Sequence, residues 1–509
     1  MSKQNIQHIH ALTPMQEGML FHALHDRAAN PYFEQCHFRL RGRLDRTLFE
    51  VAWNAVVQRH DILRTRFVFK NIPQPRQVVL RAWQAAVVFQ DLRAHPGGEQ
   101  RALIDRYKAE DWQQGFDLGR AVPMRMALFC LADDLFEVLH SFHHILLDGW
   151  SVGIIHEELF RLYTALAAGE TPRLPRPIPF GDYIRWLEQR DRQAAAAYWR
   201  RELAGYRPAV ALPGCRVDPQ VSFQAEEHAY TLPDALSTGL RHLAARLRVT
   251  QNTLIQAAWG ILLARVNRVT DVVFLATVSG RPPEIAGVER MVGLFINAVP
   301  VRVRAVPDIP FDRLVQQMQS AANAASEHHH HPLADIQAES GLAQQQPDHI
   351  LVFENYAAAD ISRFATPDAN AATLRVEAYK QVDHSNYPLT VQIIPGERLG
   401  FNLIRHQAAL ASATVDALVA GVAAILTQVT DDPTTRIGEI ALPAALAAIP
   451  VVASQPAVLP PTAAAGDPRP IELVVAATFT ADPILPHLRW WGAAFGLTID
   501  VQFAGYNQV

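Results

Sequence analysis

Residues 143–151 read His143-His144-Ile145-Leu146-Leu147-Asp148-Gly149-Trp150-Ser151. Two adjacent histidines, three apolar residues and an Asp-Gly pair make a poor core strand and an unusual surface loop. An apolar run leads in through Leu135, Phe136, Val138 and Leu139. Behind it, Val152, Ile155, Leu159, Leu162, Tyr163 and Leu166 recur at helical spacing. The order strand, histidines, helix delivers an imidazole at a strand end, where a scaffold holds a base rigidly beside a cavity. Histidine titrates close to physiological pH, which suits it to that post.

Outward from this point the first half alternates short strands with helices, the pattern of an α/β protein. Asp45 is placed to cap a helix with Leu48, Ala52, Ala55 and Val56 on one face, ending near Arg59-His60. Thr65–Phe69 and Val87–Phe89 read as strands, and Met124–Leu131 with Leu135–Phe142 as a hairpin across Asp133-Asp134. Thr171–Pro179 carries four prolines and reads as an extended connection. A second alternation follows, with Thr253–Val266 as an apolar helix, then Asp271–Val278 and Asn297–Val303 as strands. It holds no second His-His-x-x-x-Asp, so one half carries the chemistry and the other builds the facing wall of a cleft. The expected divisions are an N-terminal lobe over 1–178, a C-terminal lobe over 179–441, an Ala/Pro-rich semi-stiff linker over 442–470, and the start of a further α/β domain over 471–509. That last piece is too short to bury a core alone, so the chain reads as cut from a longer protein.

With 509 residues, more than one core is expected. Hydrophobic content of 49% with 19% charged residues excludes a disordered chain. The net charge is −4 and no basic run occurs, so neither nucleic acid nor an anionic membrane is an expected partner. Cys36, Cys130 and Cys215 are widely spaced and odd in number, encoding neither a disulfide framework nor a zinc site. The N-terminus has no apolar signal core and no apolar run approaches transmembrane length, so a cytoplasmic monomer is expected. His328–His331 invites a metal reading, but adjacent histidines on one segment rarely point at one ion, and no metal is expected there. Gly280 and Gly293 bracket a loop that lacks a phosphate-loop pattern.

Several motifs stand in order over roughly residues 8–440. They are Leu12-Thr13-Pro14-Met15-Gln16-Glu17-Gly18-Met19-Leu20-Phe21-His22; Arg59-His60-x-x-Leu63-Arg64-Thr65-x-Phe67; His143–Ser151; and Tyr198-Trp199. Then come Ser279-Gly280-Arg281-Pro282-Pro283 through Met291-Val292-Gly293-Leu294-Phe295-Ile296-Asn297, His331-Pro332-Leu333-x-x-Ile336-Gln337, and His384-Ser385-x-Tyr387-Pro388-Leu389. In this set the chain resembles the condensation domain of nonribosomal peptide synthetases. The resemblance implies two chloramphenicol-acetyltransferase-like lobes, mixed sheets with flanking helices, forming a V-shaped pseudo-dimer around a central tunnel. Donor and acceptor carrier proteins would dock at its opposite mouths, each bringing a substrate on a 4'-phosphopantetheine arm, with neighbouring synthetase domains as further partners. The implied reaction is acyl transfer that forms a peptide bond in antibiotic or other secondary-metabolite biosynthesis, with no cofactor held by the domain itself.

Site roles follow from the same resemblance. The implied catalytic set is His143, His144, Asp148 and Gly149. His144 deprotonates the acceptor amine or hydrogen-bonds the tetrahedral intermediate, while His143 holds the loop. Asp148 is implied to pair with Arg64 as a buried ion pair supporting the site. Gly149 lets the backbone approach the substrate, and its amide is a candidate donor to the oxyanion. Trp150 and Ser151 either line the substrate channel or begin the helix. Asn297 and Ser385 are candidates for the channel wall.

Close relatives of this fold are separated by small differences. Epimerisation domains place Val-Ser-Trp after the glycine, whereas this chain has Trp150-Ser151-Val152 and keeps Leu294-Phe295-Ile296-Asn297. Dual epimerising condensation domains carry an extra His-His segment near the N-terminus, which His8-x-His10 does not supply. Heterocyclisation domains replace the first histidines with aspartates. A catalytically silent platform that recruits a trans-acting enzyme loses the histidines altogether. Because the opening motif begins at Leu12, the expectation is a first domain of its polypeptide. It would take a fatty acyl group, as starter domains do, or a chain handed over from an upstream protein. Ile471–Val509 resembles the start of FkbH-like proteins.

Overall fold

The computed structural model describes residues 3–25, 30–207, 212–216, 224–340, 342, 348–354, 374–382, 387–449, 470–475 and 498–503. The first part runs β1 (Ile6–Ala11), α1 (Pro14–His25), β2 (Phe33–Arg41), α2 (Arg46–Arg59), β3 (Thr65–Val68), β4 (Arg76–Leu80), β5 (Val87–Asp91), α3 (Gly97–Gln114), β6 (Met124–Ala132), β7 (Leu135–His143), α4 (Gly149–Ala167) and α5 (Phe180–Glu188). The second runs α6 (Arg192–Glu202), β8 (Ala225–Thr231), α7 (Asp234–Leu247), α8 (Gln251–Asn267), β9 (Asp271–Val278), β10 (Asn297–Arg304), α9 (Phe311–Ser326), α10 (Leu333–Ala338), β11 (His349–Phe353), β12 (Arg375–Val382), β13 (Leu389–Ile394), β14 (Gly400–His406) and α11 (Ser412–Asp431). At the far end β15 (Pro470–Val475) pairs in parallel with β16 (Thr498–Phe503).

Local chemistry explains the elements around the histidines. The Asp45 carboxylate accepts from the amides of Thr47 and Leu48 and so starts α2, which buries Phe49, Ala52, Trp53, Val56 and Val57. β6 and β7 form an antiparallel hairpin turning at Asp133-Asp134, with Met124 opposite Phe142. α4 carries Val152, Ile155 and Leu159 into the same core as α2. Polar residues at the hairpin turn and apolar ones on both faces of β7 leave that strand no place but the middle of a sheet.

Two mixed sheets result. One has the order β12-β2-β7-β6-β5 and the other β10-β9-β11-β13-β14-β8, with a smaller sheet β1-β4-β3 beside the first. A mixed α/β architecture of two sheet-and-helix units is thus present, and late segments of the chain pack into the first unit. β12, from late in the chain, forms the edge of the first sheet, antiparallel to β2 with Tyr379 opposite Phe38. Phe180, Tyr183 and Ile184 of α5 enter the first core, and so do Val288, Met291, Val292, Leu294 and Phe295 from the segment joining β9 to β10. The division expected at 178/179 falls just before α5, whose Phe180, Tyr183 and Ile184 pack in the first core; there the ring of Tyr183 meets that of Phe295, from the β9–β10 segment, at 4.7 Å.

The linker expected from 442 also begins differently. Leu446 and Ile449 are buried in the second core, so composition rich in alanine and proline does not by itself release the chain from the body. Residues 450–469 of that linker lie outside the described residues. Among the described residues α11 is the one helix long and apolar enough to cross a membrane. Its Val415, Leu418, Val422, Ile425, Leu426 and Val429 are packed in the second core.

Candidate active site

β7 ends at His143, and a tight turn follows in which the amides of Leu146 and Leu147 donate to the carbonyls of His143 and His144. Ile145, Leu146 and Leu147 are fully buried and anchor this turn. Each such side chain contributes about 1.5–3 kcal/mol on burial, enough to hold a short loop in one place. Gln16 of α1 donates to the Ile145 carbonyl at 3.0 Å, tying the opening motif to the histidine turn.

The two histidines are treated differently by their surroundings. His143 is buried, its Nδ1 accepts from the Ile145 amide at 3.1 Å, and burial pushes its pKa down to about 3. It is a neutral ring whose proton sits on Nε2, used to hold the turn. His144 is half-buried, and its amide donates to the Tyr32 carbonyl at 2.8 Å. Its Nδ1 is enclosed and has no partner among the described residues, which leaves Nε2 as the nitrogen to meet a reactant.

Asp148 closes the turn and caps α4. One carboxylate oxygen accepts from the Ser151 amide at 2.8 Å and the other from the Phe295 amide at 3.1 Å. Its cation is Arg281, at 3.2 Å. This corrects the expected pair with Arg64. Arg64 instead bonds Asp61 at 2.6 Å, Gln7 at 2.9 Å and the Leu80 carbonyl. Asp61 stands three residues before Arg64 on the same turn of 3-10 helix, so the guanidinium finds its anion locally. Arg64 thus ties that turn to β1 and β4 and does not touch Asp148. Replacing Arg64 by alanine is expected to lower stability by about 1.5–3 kcal/mol, the worth of hydrogen bonds to a charged group, seen as a lower melting midpoint and poor soluble yield. A variant as stable as the parent would remove this structural role.

Arg281, to which sequence reasoning assigns no role, organises the site. It donates to Ser151 Oγ at 2.9 Å and to the carbonyls of Val288 and Met291 at 2.6 and 2.9 Å, and it lies over the Phe295 ring at 4.0 Å. Gly280 before it has φ +61°, and a Cβ there would collide with the Phe295 carbonyl. The one signal in the sequence is the Ser279-Gly280-Arg281 motif itself; only the fold brings it across to α4.

Other expected site residues divide. Gly149 is the first residue of α4, half-buried, directly after the cap. Trp150 is half-buried, and its indole N–H donates to the Glu289 carbonyl at 2.8 Å, so its edge is spent on the crossing segment. Ser151 is fully buried and does not line a channel: its hydroxyl donates to the Gly293 carbonyl at 2.8 Å and accepts from the Gly293 amide at 3.0 Å. Asn297 is likewise a strut, its Nδ2 donating to the carbonyls of His329 and His331, both at 2.8 Å. Both corrections have one cause, since a buried amide or carbonyl left open costs more than a small polar side chain saves by facing solvent. Ser385 lies outside the described residues. Among the described residues no group of three or more His, Cys, Asp or Glu is placed to hold a metal ion. In the histidine run, His328 stacks on Tyr198 at 4.4 Å while His330 meets Trp186 edge-on at 6.1 Å.

Beside His143 lies a cavity of about 230 Å³, walled by Asn30, Phe33, Phe69, Phe116 and Leu118. The arrangement as a whole offers one imidazole that is not fully buried, that of His144, on the turn that leads from β7 into α4. It is held by a main-chain bond, and among the described residues no carboxylate bonds to its ring.

Comparison with known proteins gives a consistent answer. A family model described as the condensation domain matches residues 6–447. Surfactin synthase subunit 3 of Bacillus subtilis (strain 168) is 37% identical over 409 residues, covering 80% of this chain and 32% of that protein. Bacitracin synthase 3 of Bacillus licheniformis is 35% identical over 440 residues, covering 86% and 7%. The chain thus spans a minor part of the length of these relatives. Among solved structures, the X-domain from teicoplanin biosynthesis superposes with a TM-score of 0.72 at 25% identity, over 85% of this chain and 97% of that one. The first condensation domain of the CDA synthetase superposes with a TM-score of 0.66 at 18% identity, over 86% and 100%, a likeness of fold.

Proposed function

The chain belongs to the condensation-domain family, and on that premise we propose that it forms an amide bond between a carrier-bound acyl or peptidyl thioester and the α-amine of a carrier-bound aminoacyl group. The observation that carries this reading is His144, with its amide held, its Nδ1 enclosed and its Nε2 free to act. Asp148 is already engaged by two amides and Arg281 and is not a third member of a relay. A lone imidazole suits a substrate that is activated beforehand, as a thioester is.

The amine nitrogen attacks the thioester carbonyl, forming the C–N bond. The amine proton passes to His144 Nε2, and the C–S bond breaks as that proton reaches the departing thiolate. Orientation of two tethered reactants supplies up to about 7–11 kcal/mol, and a positioned base about 10²–10⁴-fold. The amide of Gly149, at the helix N-terminus, stands as donor to the oxyanion. His143, Asp148 and Arg64 act by holding structure. Donor and acceptor carriers supply the phosphopantetheine arms through a channel between the two halves, with Trp150 near its wall. The domain needs no cofactor of its own and works in the cytoplasm as part of a longer synthetase. A fatty acyl donor, or one passed from an upstream protein, fits the same chemistry.

The test is incubation of the protein with one loaded donor carrier and one loaded acceptor carrier, read by intact mass. Transfer of the acyl group to the acceptor carrier is expected. Deuterium exchange at Cα without transfer would make it an epimerisation domain, and capture of a tailoring enzyme without turnover would make it a recruitment platform. Either result overturns the proposal.

A further inference from the structure

Directly before β2 the backbone does something a tyrosine rarely does. Tyr32 has φ +65°, and Asn30 two residues earlier has φ +44°, both in the left-handed region that favours glycine. Such outliers persist where the surroundings over-determine them, and they gather at working sites. β2 and β7 pair as far as Phe33 opposite His143. One step further the ladder stops, and the left-handed turn aims the Tyr32 carbonyl at the His144 amide, 2.8 Å away. The tether on the reactive histidine therefore comes from a residue in a conformation its own side chain disfavours.

The side chain is what holds it there. The Tyr32 hydroxyl lies 2.7 Å from Nδ1 of His22, on α1. The two rings stack at 5.9 Å with 10° between planes, and the ring of His143 lies 6.1 Å away on Tyr32. Burial holds His22 below its usual pKa, so the ring is neutral and can accept; burial raises the phenol, so it keeps its proton to donate. We propose that Tyr32 and His22 are positioning residues for His144: the phenol–imidazole bond locks Tyr32 in its left-handed turn, and the turn's carbonyl fixes the histidine's amide. The role reaches the reaction only through His144, and it rests on the function proposed above. It also explains why the opening motif, which ends at His22, stands more than a hundred residues before the histidines it serves.

The test uses the full chain with Tyr32→Phe, His22→Leu, His22→Gln and the double variant Tyr32→Phe/His22→Leu. Three readouts are taken: kcat and KM with loaded carriers, the melting midpoint, and the ¹H–¹⁵N signals and amide exchange of His144. Tyr32→Phe should lower kcat by about 10–100-fold, the scale of a reacting group displaced by an ångström, with KM for the acceptor and the melting midpoint unchanged. His144 signals should shift and its amide exchange faster. His22→Gln, which keeps an acceptor, should recover most of the activity lost in His22→Leu, and the double variant should be no worse than either single one. Unmoved His144 signals and kcat in Tyr32→Phe would overturn the proposal. So would loss of activity only in step with the melting midpoint, or His22→Gln as poor as His22→Leu. If the parent forms no amide but His144 still responds to Tyr32→Phe, the assigned reaction fails and the clamp stands.

Discussion

His144→Ala is expected to lower amide formation on loaded carriers by about 10²–10⁴-fold, the contribution of a positioned base, while the unfolding midpoint stays near that of the parent. The separation of the two effects comes from how the residue is held. Its tether is the main-chain bond to Tyr32, which alanine keeps, and its Nδ1 has no partner to orphan. The neighbouring three apolar side chains anchor the turn whichever residue stands at 144. A residual rate should survive, because bringing two thioester-bound reactants together is worth much of the barrier without any base. His143→Ala makes the contrast: it deletes a buried ring and the acceptor for the Ile145 amide, so it should lose stability as well as rate. Single-turnover transfer between carriers, with a chemical melt in parallel, decides both. A His144→Ala protein working at the parent's rate would remove the imidazole from the reaction.

The second large effect belongs to Arg281. Alanine there should cost about 3–5 kcal/mol, the penalty for leaving a buried charge without its partner. Asp148 and Arg281 have side chains only 2% and 5% exposed, so solvent cannot step in. The same change strips a donor from Ser151 Oγ and from the carbonyls of Val288 and Met291, releasing the crossing segment from the start of α4. Set against a total stability of about 5–15 kcal/mol for an ordinary domain, that is a large fraction. Activity should fall with it, since Asp148 caps the helix that follows the histidines. Replacing both partners by apolar residues of similar volume should be milder than either single loss, because it leaves no unpaired charge. Urea unfolding measures the difference, and an Arg281→Ala midpoint equal to the parent's would show that Asp148 needs no cation.

Much of the architecture is legible in the sequence where the signal is local. Asp45 before an apolar-periodic run makes a capped helix, and Asp133-Asp134 between two apolar stretches makes a hairpin, whatever the rest of the chain does. Expectations that depend on which groups meet across the fold fare less well. Arg64 lies in a motif near β3 and is expected at Asp148, yet it has an aspartate three residues away. Ser151 and Asn297 are candidates for a channel, yet each is consumed by main-chain groups from a distant segment.

From its residues alone this chain determines that a histidine is delivered between a central strand and a capped helix, because periodicity, caps and turns act over a few residues. Which carboxylate finds which guanidinium, which serine is sealed, and which tyrosine bends to hold the histidine were decided only in three dimensions. Those partners are far apart along the chain, and burial leaves each polar group to bond with whatever the packing brings beside it.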